Sequence, residues 1–325
     1  MKRDNFDAEG ESPGDFDLLG ETPIETPEIT NLANAVRGAI RLGFGGMAVY
    51  GKQRCGKSSA CELLQKTLPS ILGYPCATVL WSLPEFCKTE RDFIQERLID
   101  SGCPAVTHRD IAVLRNRLYD HIVDLASKEG SRKAIIVVDE AHYLTLGQFY
   151  YLVHCDNALR KRGLKTFIMV VGQPELESIS TTWGQSAGHH VTGRFFSREH
   201  RYRGIALKDI GKVCASFDEP EEDSGDATYA TALPEAYGAG WRISHAAPLL
   251  VKAIEQIAGK QNIKSGVRVP MARLRAMLGS MLWHFVDTKT DPKKFNINMA
   301  LNAVLASGFP AVMEYYVDGS DPMEV

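Results

Sequence analysis

Eight consecutive residues, Gly51-Lys52-Gln53-Arg54-Cys55-Gly56-Lys57-Ser58, constrain this chain more than any other feature, because they join a short apolar run, Met47–Tyr50, to a helical pattern from Ser58 to about Leu68. Glycines at the first and sixth positions permit backbone angles that turn successive N–H groups inward as an anion nest. Lys57 then reaches the β- and γ-phosphates of a nucleotide, and the Ser58 hydroxyl is a magnesium ligand. Ser59 continues into a helix whose N-terminal partial charge favours phosphate. Gly51 to Ser59 are therefore the expected ATP contacts, with Mg2+ as the companion ion.

A second motif completes the expectation. Ile135-Ile136-Val137-Val138 is an uninterrupted apolar run ending in Asp139-Glu140, as in a central parallel strand covered on both faces. Asp139 is placed to orient magnesium and Glu140 to polarise the attacking water. The spelling Asp139-Glu140-Ala141-His142 also occurs in helicases, but this chain is too short for two helicase motor domains. A further buried strand, Thr166–Val171, leads to Gln173. In P-loop ATPases with an added central strand, this element sits between the other two, and its terminal polar side chain contacts the γ-phosphate or the water.

Strands alternating with helices, followed after the acidic stretch Asp218–Asp226 by helices alone, predict an α/β class fold. The expected architecture is a parallel five-stranded sheet flanked by helices, with a C-terminal helical lid. Its strands are Met47–Tyr50, Cys76–Trp81, Ala134–Val138, Thr166–Val171 and Tyr202–Leu207. The expected divisions are an acidic flexible tail (1–28), an ATPase core (29–217), an acidic loop (218–226), lid and C-terminal helices (227–310) and a tail (311–325). Residues 1–28 hold nine acids and two bases, and Asp218–Asp226 holds six acids and no base. Against a whole-chain net charge of −3, the remainder is strongly basic, which suits a polyanionic partner. No apolar run is long enough to span a membrane, and Met1-Lys2-Arg3-Asp4 lacks the apolar stretch of a signal peptide. The seven cysteines have no paired short spacings. They read as reduced thiols, and the expected location is cytoplasmic.

The phosphate-loop motif, the Asp139-Glu140-Ala141-His142 strand end and Val171-Gly172-Gln173-Pro174-Glu175-Leu176 together resemble the AAA+ ATPases TnsC and TniB, regulators of DNA transposition related to MuB. Leu83-Pro84, Lys88-Thr89 and Ser101-Gly102-Cys103-Pro104 extend the resemblance, which spans roughly residues 30–260. It implies an ATP-dependent homo-oligomer, a ring or helical filament, on duplex DNA. Its other partners would be transposase subunits and a target-selection protein, with hydrolysis as a disassembly timer. It also implies an arginine that touches the ATP of a neighbouring subunit, for which Arg194 and Arg198 are the candidates. Arg242 resembles the lid arginine that senses nucleotide in cis. By position, DNA phosphates would meet Lys88, Thr89, Arg91, Thr107, His108 and Arg109, several of them at predicted helix starts. Two alternatives keep the nucleotide site and change the job: a secretion-type AAA ATPase, and a scaffold that binds nucleotide without hydrolysing it.

Overall fold

The apolar run from Ala134 to Val138 needs cover on both faces, and in the computed structural model it is an interior strand. The structure describes residues 18–20, 23–83, 89–178, 189–220 and 225–319. Its sheet has five parallel strands, β1 (Gly46–Tyr50), β2 (Ala77–Ser82), β3 (Lys133–Asp139), β4 (Lys165–Gly172) and β5 (Glu199–Arg201), in the order β2-β3-β4-β1-β5. The strand leading to Gln173 thus lies between those bearing Asp139 and the phosphate loop, as expected. Ile136, Val137 and Val138 of β3, Ile168 to Val171 of β4, and Ala48 and Val49 of β1 are fully buried.

Helices cover the sheet: α1 (Pro27–Arg41), α2 (Lys57–Leu72), α3 (Glu90–Asp100), α4 (Ile111–Lys128), α5 (Leu146–Lys161) and α6 (His189–Phe195). Local chemistry sets their ends. Thr26 caps α1 with Pro27 at the first turn, and Thr89 with Asp92 and Thr145 with Gln148 form reciprocal capping boxes on α3 and α5, satisfying first-turn N–H groups. Gly73, at φ 74°, closes α2. The helix expected from Thr107 begins only at Ile111, because Asp110 accepts from the Ala112 amide and caps it there. The last strand also differs from expectation. β5 is Glu199–Arg201, whereas Ile205–Ala206 is a short strand outside this sheet. The ladder ends because Tyr202, after donating its amide to the Tyr50 carbonyl at 2.9 Å, brings its own carbonyl in over Gly51, and the chain turns away at Gly204.

The chain divides into two compact units. One comprises Glu25–Ile205 with Arg268–Met271, and the other Met1–Ile24, Ala206–Val267 and Ala272–Val325. The second is helical, with α7 (Ile210–Ser216), α8 (Pro234–Gly238), α9 (Ala247–Lys260), α10 (Met271–Thr288) and α11 (Ile297–Ala306). Phe285 meets Trp241 and Phe295 edge-on, with ring centroids 5.7 and 5.8 Å apart. Asp218 accepts from the Ile243 and Ser244 amides and from the Tyr229 hydroxyl. Among the described residues, no helix is long and apolar enough to cross a membrane.

Candidate active site

Strand register determines which side chains can meet. Tyr50 lies beside Gly172, and Val138 beside Val170, so β1, β3 and β4 end at one edge of the sheet. That edge carries the loop at Gly51, the pair Asp139–Glu140, and Gln173. A Cβ on Gly51 would sit 2.0 Å from the Tyr202 carbonyl oxygen, so only glycine fits there. Arg54 (φ 59°) and Gly56 (φ 97°) are left-handed, the kind of turn from which anion-binding nests of peptide N–H groups are built. The 16-residue α2 follows its N-cap Gly56, with no side-chain cap and no acid in its first turn. Its orphan N–H groups and positive end therefore face the loop without a side-chain acceptor of their own.

Lys57 is buried, and its Nζ donates to the carbonyls of Gly51 at 2.7 Å and Lys52 at 2.9 Å. Burial lowers its pKa below the ordinary lysine value, opposed by Cys55, Glu140 and Asp139 nearby. Cys55 is buried inside the loop, and burial raises its thiol to about 11, so at neutral pH it adds no negative charge beside a phosphate. Ser58, Ser59, Gln53 and Arg54 are exposed, and Lys52 is partly so. Asp139 is buried, and its Oδ1 accepts from the Glu140 amide at 2.9 Å. Among the described residues, no group of three or more His, Cys, Asp or Glu side chains could hold a metal ion. The Ser58 hydroxyl, in the first turn of α2, and the buried Asp139 carboxylate are oxygen donors of the kind magnesium takes.

Gln173, expected to meet the γ-phosphate, is bonded within the site. Gln53 Nε2 donates to its Oε1 at 2.8 Å, and its Nε2 lies 3.1 Å from His142 Nε2. His142 Nδ1 in turn lies 3.3 Å from Glu140 Oε2. Sequence reasoning passed over His142, and it took Gln53 as a nucleotide contact rather than as a partner of Gln173. The only signal for His142 was its place in the Asp139-Glu140-Ala141-His142 tetrapeptide.

The two finger candidates sit at the opposite end of the strands. Arg198 is exposed, stacks over Phe44 and receives the Ala48 amide on its carbonyl, at the start of β1. Arg194 is anchored: it pairs with buried Asp156 and donates to Asn157 Oδ1 at 3.0 Å. Arg242 belongs to the helical unit, where it donates to the Tyr237 and Trp241 carbonyls and covers the Tyr237 ring at 3.9 Å.

Of the DNA candidates, Lys88 lies outside the described residues. The Arg91 guanidinium donates to the carbonyls of His108 and Arg109, which draws these three together. Thr89 is spent on capping α3. Thr107, His108 and Arg109 are exposed and precede α4 rather than starting it. A basic concavity of about 890 Å³ opens between α4 and α5, lined among others by Arg115, His154, Arg160, Lys161 and Arg162. Its arginines also pair with acids: Arg115 with Glu90, Arg160 with Asp156 and Arg162 with Asp120.

Residues 42–179 match the family model described as AAA domain, and they form an AAA-type P-loop domain. Among solved structures, the Aeropyrum pernix ORC2 protein in its ADPNP–ADP complexes is similar at 12% identity, with TM-score 0.60, covering 90% of this chain and 72% of that one. The ADP form of the same protein is similar at 11% identity, with TM-score 0.58, over 89% and 71%. Likeness at this identity concerns the fold, which is AAA+ P-loop with a helical C-terminal region. No curated protein matches the sequence.

Proposed function

We propose that this chain is an ATPase that assembles on duplex DNA in its ATP-bound state and regulates DNA transposition, recruiting or activating a transposase at a target site. The observation that carries the catalytic part is the convergence of Lys57, Asp139, Glu140 and Gln173 at one sheet edge beside an uncapped helix N-terminus. Lys57 and the loop amides of Gly51 to Ser59 hold the phosphates. Ser58 and Asp139 hold magnesium, whose chemistry is to neutralise charge developing on the phosphate oxygens. Glu140 accepts the proton of the attacking water, and Gln173 orients that water or the phosphate. The ORC2 protein, similar in fold, forms ADPNP–ADP complexes, which supports the ligand assignment.

The assembly part is supported by the resemblance to TnsC and TniB and by geometry. Arg194 and Arg198 lie at the end of the sheet away from their own phosphate loop, as a group serving a neighbour's nucleotide in a head-to-tail ring or filament must. Arg198 is the better placed of the two, because Arg194 is held by Asp156. Arg242 serves as the nucleotide-sensing arginine of the helical unit. The Arg91–His108–Arg109 cluster, with Lys88, Thr89 and Thr107 beside it in sequence, and the basic concavity supply phosphate contacts that read no bases, so binding is steeply salt-dependent. Transposase subunits and a target-selection protein are the remaining partners, and the cytoplasm is the setting. Light scattering of the chain with duplex DNA tests this reading. Scattering rises with ATP or a non-hydrolysable analogue, not with ADP, and not for Lys57→Ala. A monomer in the presence of both triphosphate and DNA refutes assembly.

A further inference from the structure

Side chains from three separate stretches connect the phosphate loop to Glu140 through the Gln53–Gln173, Gln173–His142 and His142–Glu140 contacts. Hydrogen-bond capacity gives this chain a direction. The Gln173 carbonyl oxygen is taken by Gln53, so its amide nitrogen faces the imidazole and can only donate. His142 Nε2 must then accept, and the neutral ring carries its proton on Nδ1. That N–H faces a carboxylate oxygen in the same condition. Glu140 Oε2 and His142 Nδ1 are both sealed from solvent, and neither completes a hydrogen bond. Their 3.3 Å separation is within ion-pair reach but off hydrogen-bond alignment. A small rotation of either side chain closes the link.

Two backbone features hold this arrangement. Glu140 adopts φ 55° and ψ 34°, a left-handed conformation that is costly for glutamate and that starts the short turn Ala141–Tyr143 carrying His142 back toward β4. Gly172 admits that turn: a Cβ there would lie 3.1 Å from the His142 amide nitrogen and 3.4 Å from its Cβ. The Tyr143 ring, 4.1 Å from the imidazole between centroids, packs on its side.

We propose that His142 is a positioning residue that transmits the orientation of the Gln173 amide to Glu140. Once that link closes, one carboxylate oxygen is held by the imidazole, and the other is left for water. Gln173 keeps one N–H uncommitted, so it can meet a phosphate oxygen without releasing either neighbour. The three links then report to Glu140 whether Gln53 and Gln173 are in place. The inference rests on the hydrolysis reading above and adds a residue to it.

The first test needs no nucleotide. In histidine-labelled protein at about pH 8, above the ordinary histidine pKa of ~6.5, nitrogen-15 shifts should report the Nδ1–H tautomer at His142. Gln173→Ala should move it toward Nε2–H. An Nε2–H ring in the parent overturns the proposal. The second test is turnover. His142→Ala should lower kcat by about tenfold or more while KM stays within about twofold, as expected for misalignment of a base rather than loss of binding. His142→Gln can accept from Gln173 and donate to Glu140, and should recover most of the rate. His142→Phe fills the space alone and should not. Equal rates for the Gln and Phe variants overturn the proposal while leaving hydrolysis intact. A parent with no Lys57-dependent turnover overturns the hydrolysis reading, and the inference with it.

Discussion

Asp156→Ala should destabilise the sheet-bearing unit by about 3 kcal/mol, a sum of one stranded hydroxyl and two weakened ion pairs. Asp156 is fully buried on α5, where it receives the Thr166 hydroxyl of β4, Arg160 of its own helix at 2.9 Å and Arg194 of α6. Without the carboxylate, the buried Thr166 hydroxyl loses its acceptor, which costs about 1–3 kcal/mol. The two arginines lose less, because their side chains are 47% and 29% exposed and can turn to water. Each is worth about 0.5–1 kcal/mol after screening. With a urea m-value of about 2–3 kcal/mol per molar, the midpoint should fall by about 1 M. Circular dichroism during urea unfolding measures it. Asp156→Asn, which keeps an acceptor for Thr166, should lose about half as much. A midpoint within about 0.2 M of the parent for the alanine variant would refute the claim that one carboxylate joins α5, β4 and α6.

Gly51→Ala should abolish nucleotide binding and remove about 3 kcal/mol or more, in the upper range for overpacking, because the new Cβ would meet the Tyr202 backbone at 2.0 Å. Gly38→Ala in α1, with nothing within 4 Å of its Cβ, should instead gain about 0.5–1 kcal/mol; thermal melts and nucleotide titration compare the two. Burial raises Cys55 from 9.0 to about 11. Its neutral thiol therefore supports the fold fully below pH 9, and that support is lost as pH rises to about 11. At pH 8, alkylation followed by mass spectrometry should label partly exposed Cys103 well before Cys55.

The phosphate loop, the strand ending in Asp139-Glu140 and the alternation of strands with helices were legible in the sequence. Each is a local pattern whose residue types and spacing are dictated by backbone geometry: glycine where φ is positive, and uninterrupted apolar residues where both faces are covered. The order β3-β4-β1 was inferred from the same alternation by likeness to other P-loop folds, and the structure has it. What no local pattern contains is the partner of a side chain on another element. Gln53 and His142 both meet Gln173 only because parallel pairing ends three strands at one edge. That Arg194, a candidate for the neighbour's ATP in the sequence, pairs with Asp156 is likewise set only by folding. Arg91 is joined to His108 and Arg109 only in the fold, through its guanidinium bonds to their carbonyls. Residue type declares what a group can bond; only the packing of strands and helices decides what is within reach, because hydrogen bonds act over about 3 Å and sequence separation does not measure that distance.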